Sequence, residues 1–218
     1  MSRTIVYIDG FNLYYRALKG TAYRWLDIAA LSAAALPSSS LLQRVNYYTA
    51  HISGRTDPTA PARQHAYLRA LNSLPMVAIH YGNFLAKQKW AGLVQPPEFR
   101  PTFSLPAGAA PVVASVWKTE EKGSDVNLGV HLVRDAFLKA FDEAAILTND
   151  TDLVEPIRIV TQEAGLPVTL LTPVNKPSVS LVRVASHVRH IGPYLGPGQL
   201  PSSITLPNGQ TVTKPSSW

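Results

Sequence analysis

Thr4-Ile5-Val6-Tyr7-Ile8-Asp9-Gly10-Phe11-Asn12 is the stretch on which the reading of this chain turns. An apolar, β-branched run ends abruptly in an aspartate and a glycine. The same design returns far along the chain as Ala144-Ala145-Ile146-Leu147-Thr148-Asn149-Asp150-Thr151-Asp152. Continuous runs of this kind are typical of strands buried on both faces of a parallel sheet. Ligands of open α/β sheets bind beyond the carboxyl ends of such strands, where both acidic turns fall. A third acidic stretch, Lys122-Gly123-Ser124-Asp125, opens an amphipathic segment between them.

Working outward, strand-like and helix-like segments alternate. Helices are expected over 12–19, 26–36, 58–74, 124–141, 152–164 and 178–185, and strands over 41–51, 76–81, 168–172 and 188–191. Pro37 stops one helix; Gly165 and Pro167 close another. On the 124–141 helix, Val126, Leu128, Val130, Val133 and Phe137 are expected on the buried side; on the 58–74 helix, Ala62, Ala66, Leu68, Ala70 and Leu71. Residues 84–116 interrupt the alternation with Pro96-Pro97, Pro101, Pro106 and Pro111, and read as an inserted loop or ribbon across the sheet's carboxyl edge. The alternation predicts a three-layer α/β/α domain over 1–192 with a mostly parallel central sheet. The 193–218 extension is expected to be peripheral, with a possible hairpin around Asn208-Gly209.

Composition narrows the class. The chain has 218 residues, enough for one full core. Lys and Arg number 20 against 14 Asp and Glu, a net charge of +6, which suits a polyanionic partner. The absence of cysteine excludes disulfides, thiolate metal sites and cysteine nucleophiles. Met1-Ser2-Arg3-Thr4 leads straight into a strand, and no apolar stretch approaches the ~18 residues of a membrane span. A cytoplasmic protein is expected.

Asp9, Asp125, Asp150 and Asp152 gathered at one edge would repel one another unless a divalent cation neutralised them. Mg²⁺ or Mn²⁺ suits carboxylate oxygens, so the residues read as a metal-dependent phosphodiesterase site. Each has a structural alternative. Asp9 is placed equally well to cap the helix that follows, and one of Asp150 and Asp152 to cap the helix near Leu153. Asp125 is the more telling, because capping of its helix falls more naturally to Ser124. Asn12 is a neutral partner for Asp9. Lys122 and Lys176 are candidate phosphate ligands or plain surface lysines, and Thr148 and Asn149 candidate hydrogen-bonding groups for substrate. His131 is either a packing histidine or a hydrogen-bonding neighbour of the site.

The trio Ile-Asp-Gly-Phe-Asn, Glu-Lys-Gly-Ser-Asp-Val-Asn-Leu and Leu-Thr-Asn-Asp-Thr-Asp-Leu resembles the NYN-domain family, the LabA-like branch of the PIN-like nucleases, over residues 3–175. The resemblance implies a PIN-like fold and a Mg²⁺- or Mn²⁺-dependent ribonuclease. Asp9, Asp125, Asp150 and Asp152 would bind the metal and carry catalysis, with Asn12 and Asn149 supporting them. Many members carry another aspartate where this chain has His131, which puts a second metal in doubt; Asp135 is the nearest substitute. Lys87, Lys89, Trp90, Phe99, Arg100 and Trp117 in the insertion would grip single-stranded or looped RNA, or the tryptophans would cover a small core of the loop itself. Rival readings are a non-catalytic RNA- or protein-binding module and a cofactor-dependent oxidoreductase. Against the last, no G-x-G-x-x-G follows the first strand.

Overall fold

A computed structural model describes residues 1–55, 57–94, 97–99, 102 and 112–218. The opening run forms β1 (Ser2–Asp9), from Thr4 onward buried throughout. It lies at the centre of a six-stranded sheet together with β2 (Ser40–Thr49), β3 (Val77–Tyr81), β6 (Glu143–Leu147), β7 (Val168–Thr172) and β8 (His187–His190). The order is β3-β2-β1-β6-β7-β8, and every neighbouring pair is parallel. Strand order therefore reverses between β1 and β6. Their carboxyl ends part there, opening a crevice exactly at the two acidic turns.

Side chains alternate across β1 and feed both faces of the sheet. Val6 and Ile8 enter one core with Trp25, Leu31 and Tyr67; Ile5 and Tyr7 enter the other with Leu128, Leu132 and Ile157. The first core is covered by α1 (Gly10–Leu13), α2 (Ile28–Ala35) and α3 (Ala60–Asn72). The second is covered by α4 (Ser124–Phe137), α5 (Val154–Arg158) and α6 (Val179–Val184). This is the expected three-layer α/β/α domain. Among the described residues no helix is long and apolar enough to cross a membrane.

Three expectations need correction. On α4 the buried side is Leu128, Leu132 and Ala136, while Val126, Val130 and Phe137 stand 66%, 58% and 57% exposed. Both stripes have helical spacing, and packing against β1 selected the one with leucines. On α3, Ala62 is exposed and Tyr67 takes the inward position, its hydroxyl donating to the Leu26 carbonyl at 2.8 Å. The C-terminal extension is integral rather than peripheral. After α7 (Gly192–Leu195), a hairpin of β9 (Ser203–Thr205) and β10 (Thr211–Thr213) buries Val212, and the Trp218 ring packs edge-on to Trp25.

The insertion is a ribbon, not a loop. β4 (Asn83–Gly92) and β5 (Val113–Lys122) pair antiparallel in a two-stranded sheet of their own. Trp90 and Trp117 are 71% and 49% exposed, so neither covers a core of the ribbon. Arg55 stacks on the Trp117 ring at 3.5 Å. Positions 95, 96, 100, 101 and 103–111, Arg100 included, lie outside the described residues.

Candidate active site

Asp9 closes β1 with its side chain almost wholly buried. One carboxylate oxygen accepts the Asn12 N–H at 2.9 Å, capping α1; the other accepts the Thr148 hydroxyl at 3.1 Å across the crevice. The capping and cross-strand roles thus coexist. Gly10 follows because nothing larger fits: a β-carbon there would lie 2.6 Å from the Tyr47 ring. Asn12 reaches across to accept the Asn149 N–H at 3.1 Å, and Asn149 in turn accepts the Ser178 N–H at 2.8 Å. These bonds tie the ends of β1 and β6 to the start of α6.

Asp150 and Asp152 divide their roles. Asp150 caps the turn after β6 by accepting the Asp152 N–H at 3.1 Å, and donates its own N–H to the Thr148 hydroxyl at 3.0 Å. Asp125 comes from the first turn of α4. Ser124 does not cap that helix; its N–H is taken at 2.9 Å by Glu121, from the end of β5. That geometry places Glu121 on the site.

Asp9, Glu121, Asp125 and Asp150 line a single pocket of about 270 Å³, with Asn12 and the rings of Phe11 and Tyr15. Those rings stack, centroids 6.5 Å apart and 14° from parallel. Burial pushes the Asp125 carboxyl up to about 7, and the charges of Asp9, Glu121, Asp150 and Asp152 add to the effect. Burial also raises Asp9, against the opposing pull of its hydrogen bonds from Asn12 and Thr148. The pocket therefore sets two near-parallel aromatic rings beside a carboxyl group raised towards neutrality.

The structure brings Asp9, Asn12, Asp125 and Asp150 together as expected. Thr148 and Asn149 stand behind them as supports. Asp152 turns to a neighbouring groove that also borders Lys122. Lys122 is ion-paired with Glu120 at 3.2 Å, and Lys176 is exposed and off the pocket. His131 lies away from the pocket, its Nδ1 sharing a 3.0 Å hydrogen bond with the Tyr48 hydroxyl and its ring edge-on to His80. Asp135 is no substitute ligand: Tyr7, Arg44 and Arg134 bind it at 2.8, 3.2 and 2.7 Å. Glu121 is the residue the sequence reading missed. Its signal was a carboxylate four residues before Asp125, visible only as part of a charged run.

Among the described residues no group of three or more histidine, cysteine, aspartate or glutamate side chains is placed to hold a metal ion. The charged residues lining the pocket are Asp9, Glu121, Asp125 and Asp150.

No family model matches the chain. A protein of unknown function from Vibrio parahaemolyticus RIMD 2210633 has a similar fold, with a TM-score of 0.53 and 15% identity, covering 87% of this chain and 93% of that one. The 6-hydroxy-3-succinoylpyridine 3-monooxygenase HspA of Pseudomonas putida (strain DSM 28022 / S16) is 30% identical over 242 aligned positions, spanning 99% of this chain and 75% of the relative. That relationship overturns the expected metal-dependent ribonuclease, and with it the expected hydrolase role. The protein is an enzyme, but of a different kind. By the extent of that similarity, the chain belongs to the family of 6-hydroxy-3-succinoylpyridine 3-monooxygenase HspA.

Proposed function

We propose that the protein is an oxidoreductase that hydroxylates a small hydroxylated aromatic acid, with Asp125 as the group that moves a proton on the ring. The observation that carries this reading is similarity over 99% of the chain to a monooxygenase of a hydroxypyridine. The ordered acidic motifs support a further reading, that an NYN-like scaffold here carries oxygen chemistry in place of hydrolysis.

The chemistry asks three things of the chain: to hold a planar ring, to exclude bulk water, and to handle a ring proton. Phe11 and Tyr15 supply a stacking wall for the ring. In 6-hydroxy-3-succinoylpyridine the hydroxyl and the oxidised carbon are para to one another. Removing the hydroxyl proton therefore raises electron density where oxygen is delivered. A carboxyl that titrates at about 7 accepts that proton at neutral pH far better than an ordinary aspartate does. Burial keeps Asp125 in this state, and the charges of Asp9, Glu121, Asp150 and Asp152 add to the effect.

The carbon para to the hydroxyl carries the succinoyl group, so oxygen delivered there breaks the bond to that group, which leaves as its carboxylic acid after taking up a water; the second oxygen atom leaves as water, at the expense of two electrons and two protons from a reductant. The turn after β1 does not fit the diphosphate of a dinucleotide. Asp9 already occupies the start of α1 with a carboxylate, and the space beside Gly10 is filled by Tyr47.

The test is oxygen uptake by the purified protein with 6-hydroxy-3-succinoylpyridine and reduced nicotinamide, in arms with and without added flavin and ferrous ion. Substrate-dependent uptake that is lost in Asp125→Asn is the expected result. No substrate-dependent uptake in any arm would overturn the proposal.

A further inference from the structure

The aromatic wall of the pocket continues outward into a cation. Phe11, Tyr15 and Lys19 stand at i, i+4 and i+8 on α1 and the π-helical turn Tyr14–Leu18 that extends it, so they share one side of the helix. The Phe11 and Tyr15 rings, 6.5 Å apart between centroids, line the pocket, and the Lys19 Nζ lies 4.9 Å over the Tyr15 ring. Exposure rises along the row: Phe11 is part-buried, Tyr15 is 57% exposed, and Lys19 is exposed too. The row leads from the carboxylates to the rim.

The backbone fixes Lys19 at that place. Its N–H donates to the Tyr14 carbonyl at 2.7 Å, closing the π turn, and the preceding Leu18 is buried in the core. Single π turns in helices recur at functional sites. Gly20 follows at φ 79°, where the chain turns away and the row ends. Among the described residues Lys19 forms no ion pair, whereas Lys122 and Arg134, beside the neighbouring groove, are paired with Glu120 and Asp135.

The succinoyl tail of the proposed substrate ends in a carboxylate. All the charged residues lining the pocket are acidic, so the tail meets no counter-charge among them. Its four carbons, extended, reach about 5 Å beyond the ring. With the Lys19 Nζ 4.9 Å from the Tyr15 centroid, a ring resting against Tyr15 brings its carboxylate within reach of Lys19. We infer that Lys19 binds the terminal carboxylate of the substrate's tail, and so selects an aromatic acid over its neutral analogue. The inference rests on the hydroxypyridine reading of the pocket.

Titration calorimetry without reductant, so that nothing turns over, measures binding of 6-hydroxy-3-succinoylpyridine and of its terminal carboxamide, which keeps ring and tail but loses the charge. The wild type is expected to bind the acid about fivefold more tightly than the amide, the upper end of what an exposed ion pair gives. That preference should shrink at high salt. Lys19→Met keeps the stem over Tyr15 and should weaken the acid alone, bringing the two ligands to equal affinity; Lys19→Glu should reverse their order. Arg16→Met removes the same charge one residue round the helix, off the row, and should leave the preference intact. Both side chains are exposed, so thermal melts should match the wild type. Equal binding of acid and amide by the wild type, a preference that survives in Lys19→Met, or one lost equally in Arg16→Met overturns the inference and leaves the hydroxypyridine reading standing. A wild type that binds neither ligand overturns both.

Discussion

Replacing Asp125 by asparagine should stabilise the protein above neutral pH while abolishing its activity. Asp125 ionises at about 7 in the folded chain against 3.8 ordinarily, because the half-buried carboxylate sits near Asp9, Glu121, Asp150 and Asp152. Between those two values the folded state holds a proton that the unfolded state has released. Stability conferred by the protonated form is therefore fully present below pH 3.8 and is lost as pH rises through about 7. At about 1.4 kcal/mol per pH unit the ceiling on this penalty is about 4 kcal/mol. Asp125 is only half withdrawn from solvent, so screening reduces the expected effect to about 1–2 kcal/mol. Asparagine keeps the shape and carries no charge. Urea unfolding of wild type and Asp125→Asn, run in parallel at pH 5 and pH 8, measures the difference. The variant should be more stable by about 1–2 kcal/mol at the higher pH, a melting shift of a few degrees, and by less than half as much at the lower. A variant no more stable at pH 8 would refute the claim that burial and the neighbouring carboxylates hold Asp125 near neutrality.

Other outcomes follow from the same coordinates. Tyr15→Ala removes half of the stacked wall and should raise KM for the aromatic substrate about tenfold with a smaller effect on kcat, as steady-state kinetics would show. Asp135→Ala strands the buried Tyr7 hydroxyl and leaves the half-exposed Arg44 and Arg134 without their carboxylate; urea titration should find a loss of about 1–3 kcal/mol. Gly10→Ala drives a methyl group into Tyr47 and the Tyr48 carbonyl, and should cost about 1–3 kcal/mol in the same assay. In wild type, kcat/KM should rise with pH through a single ionisation near 7, and that inflection should vanish in Asp125→Glu only if the longer side chain escapes its crowded position.

The strands were legible because their chemistry has one solution. Runs such as Ile5-Val6-Tyr7-Ile8 and Ala144-Ala145-Ile146-Leu147 have no polar face to offer solvent and must be central. The acidic turns were legible for the same reason, since a strand that stops at an aspartate presents it at the sheet's edge. Helix α4 was not. Its valine stripe and its leucine stripe have the same period, and only tertiary packing, with Gly129 pressed close to Pro156, decides which faces inward. Glu121 was hidden because its role depends on β5 ending beside α4, a long-range fact. Lys122 and Lys176 were chosen for their charge near the motifs, and their actual directions depend on Glu120 and on the turn after β7. The reaction itself was misread because an acidic cluster at a sheet edge admits several chemistries. Fold and pocket were written in the local pattern; the activity was not.

The central claim is that this pocket supports oxygen insertion with Asp125 as its proton acceptor. Reaction of 6-hydroxy-3-succinoylpyridine under isotope-labelled dioxygen, followed by mass spectrometry of the product, tests it most directly. The account predicts a single labelled oxygen in the product of the wild-type protein and none above background with Asp125→Asn. Label arriving from water instead of dioxygen, or equal labelling by the variant, would contradict it.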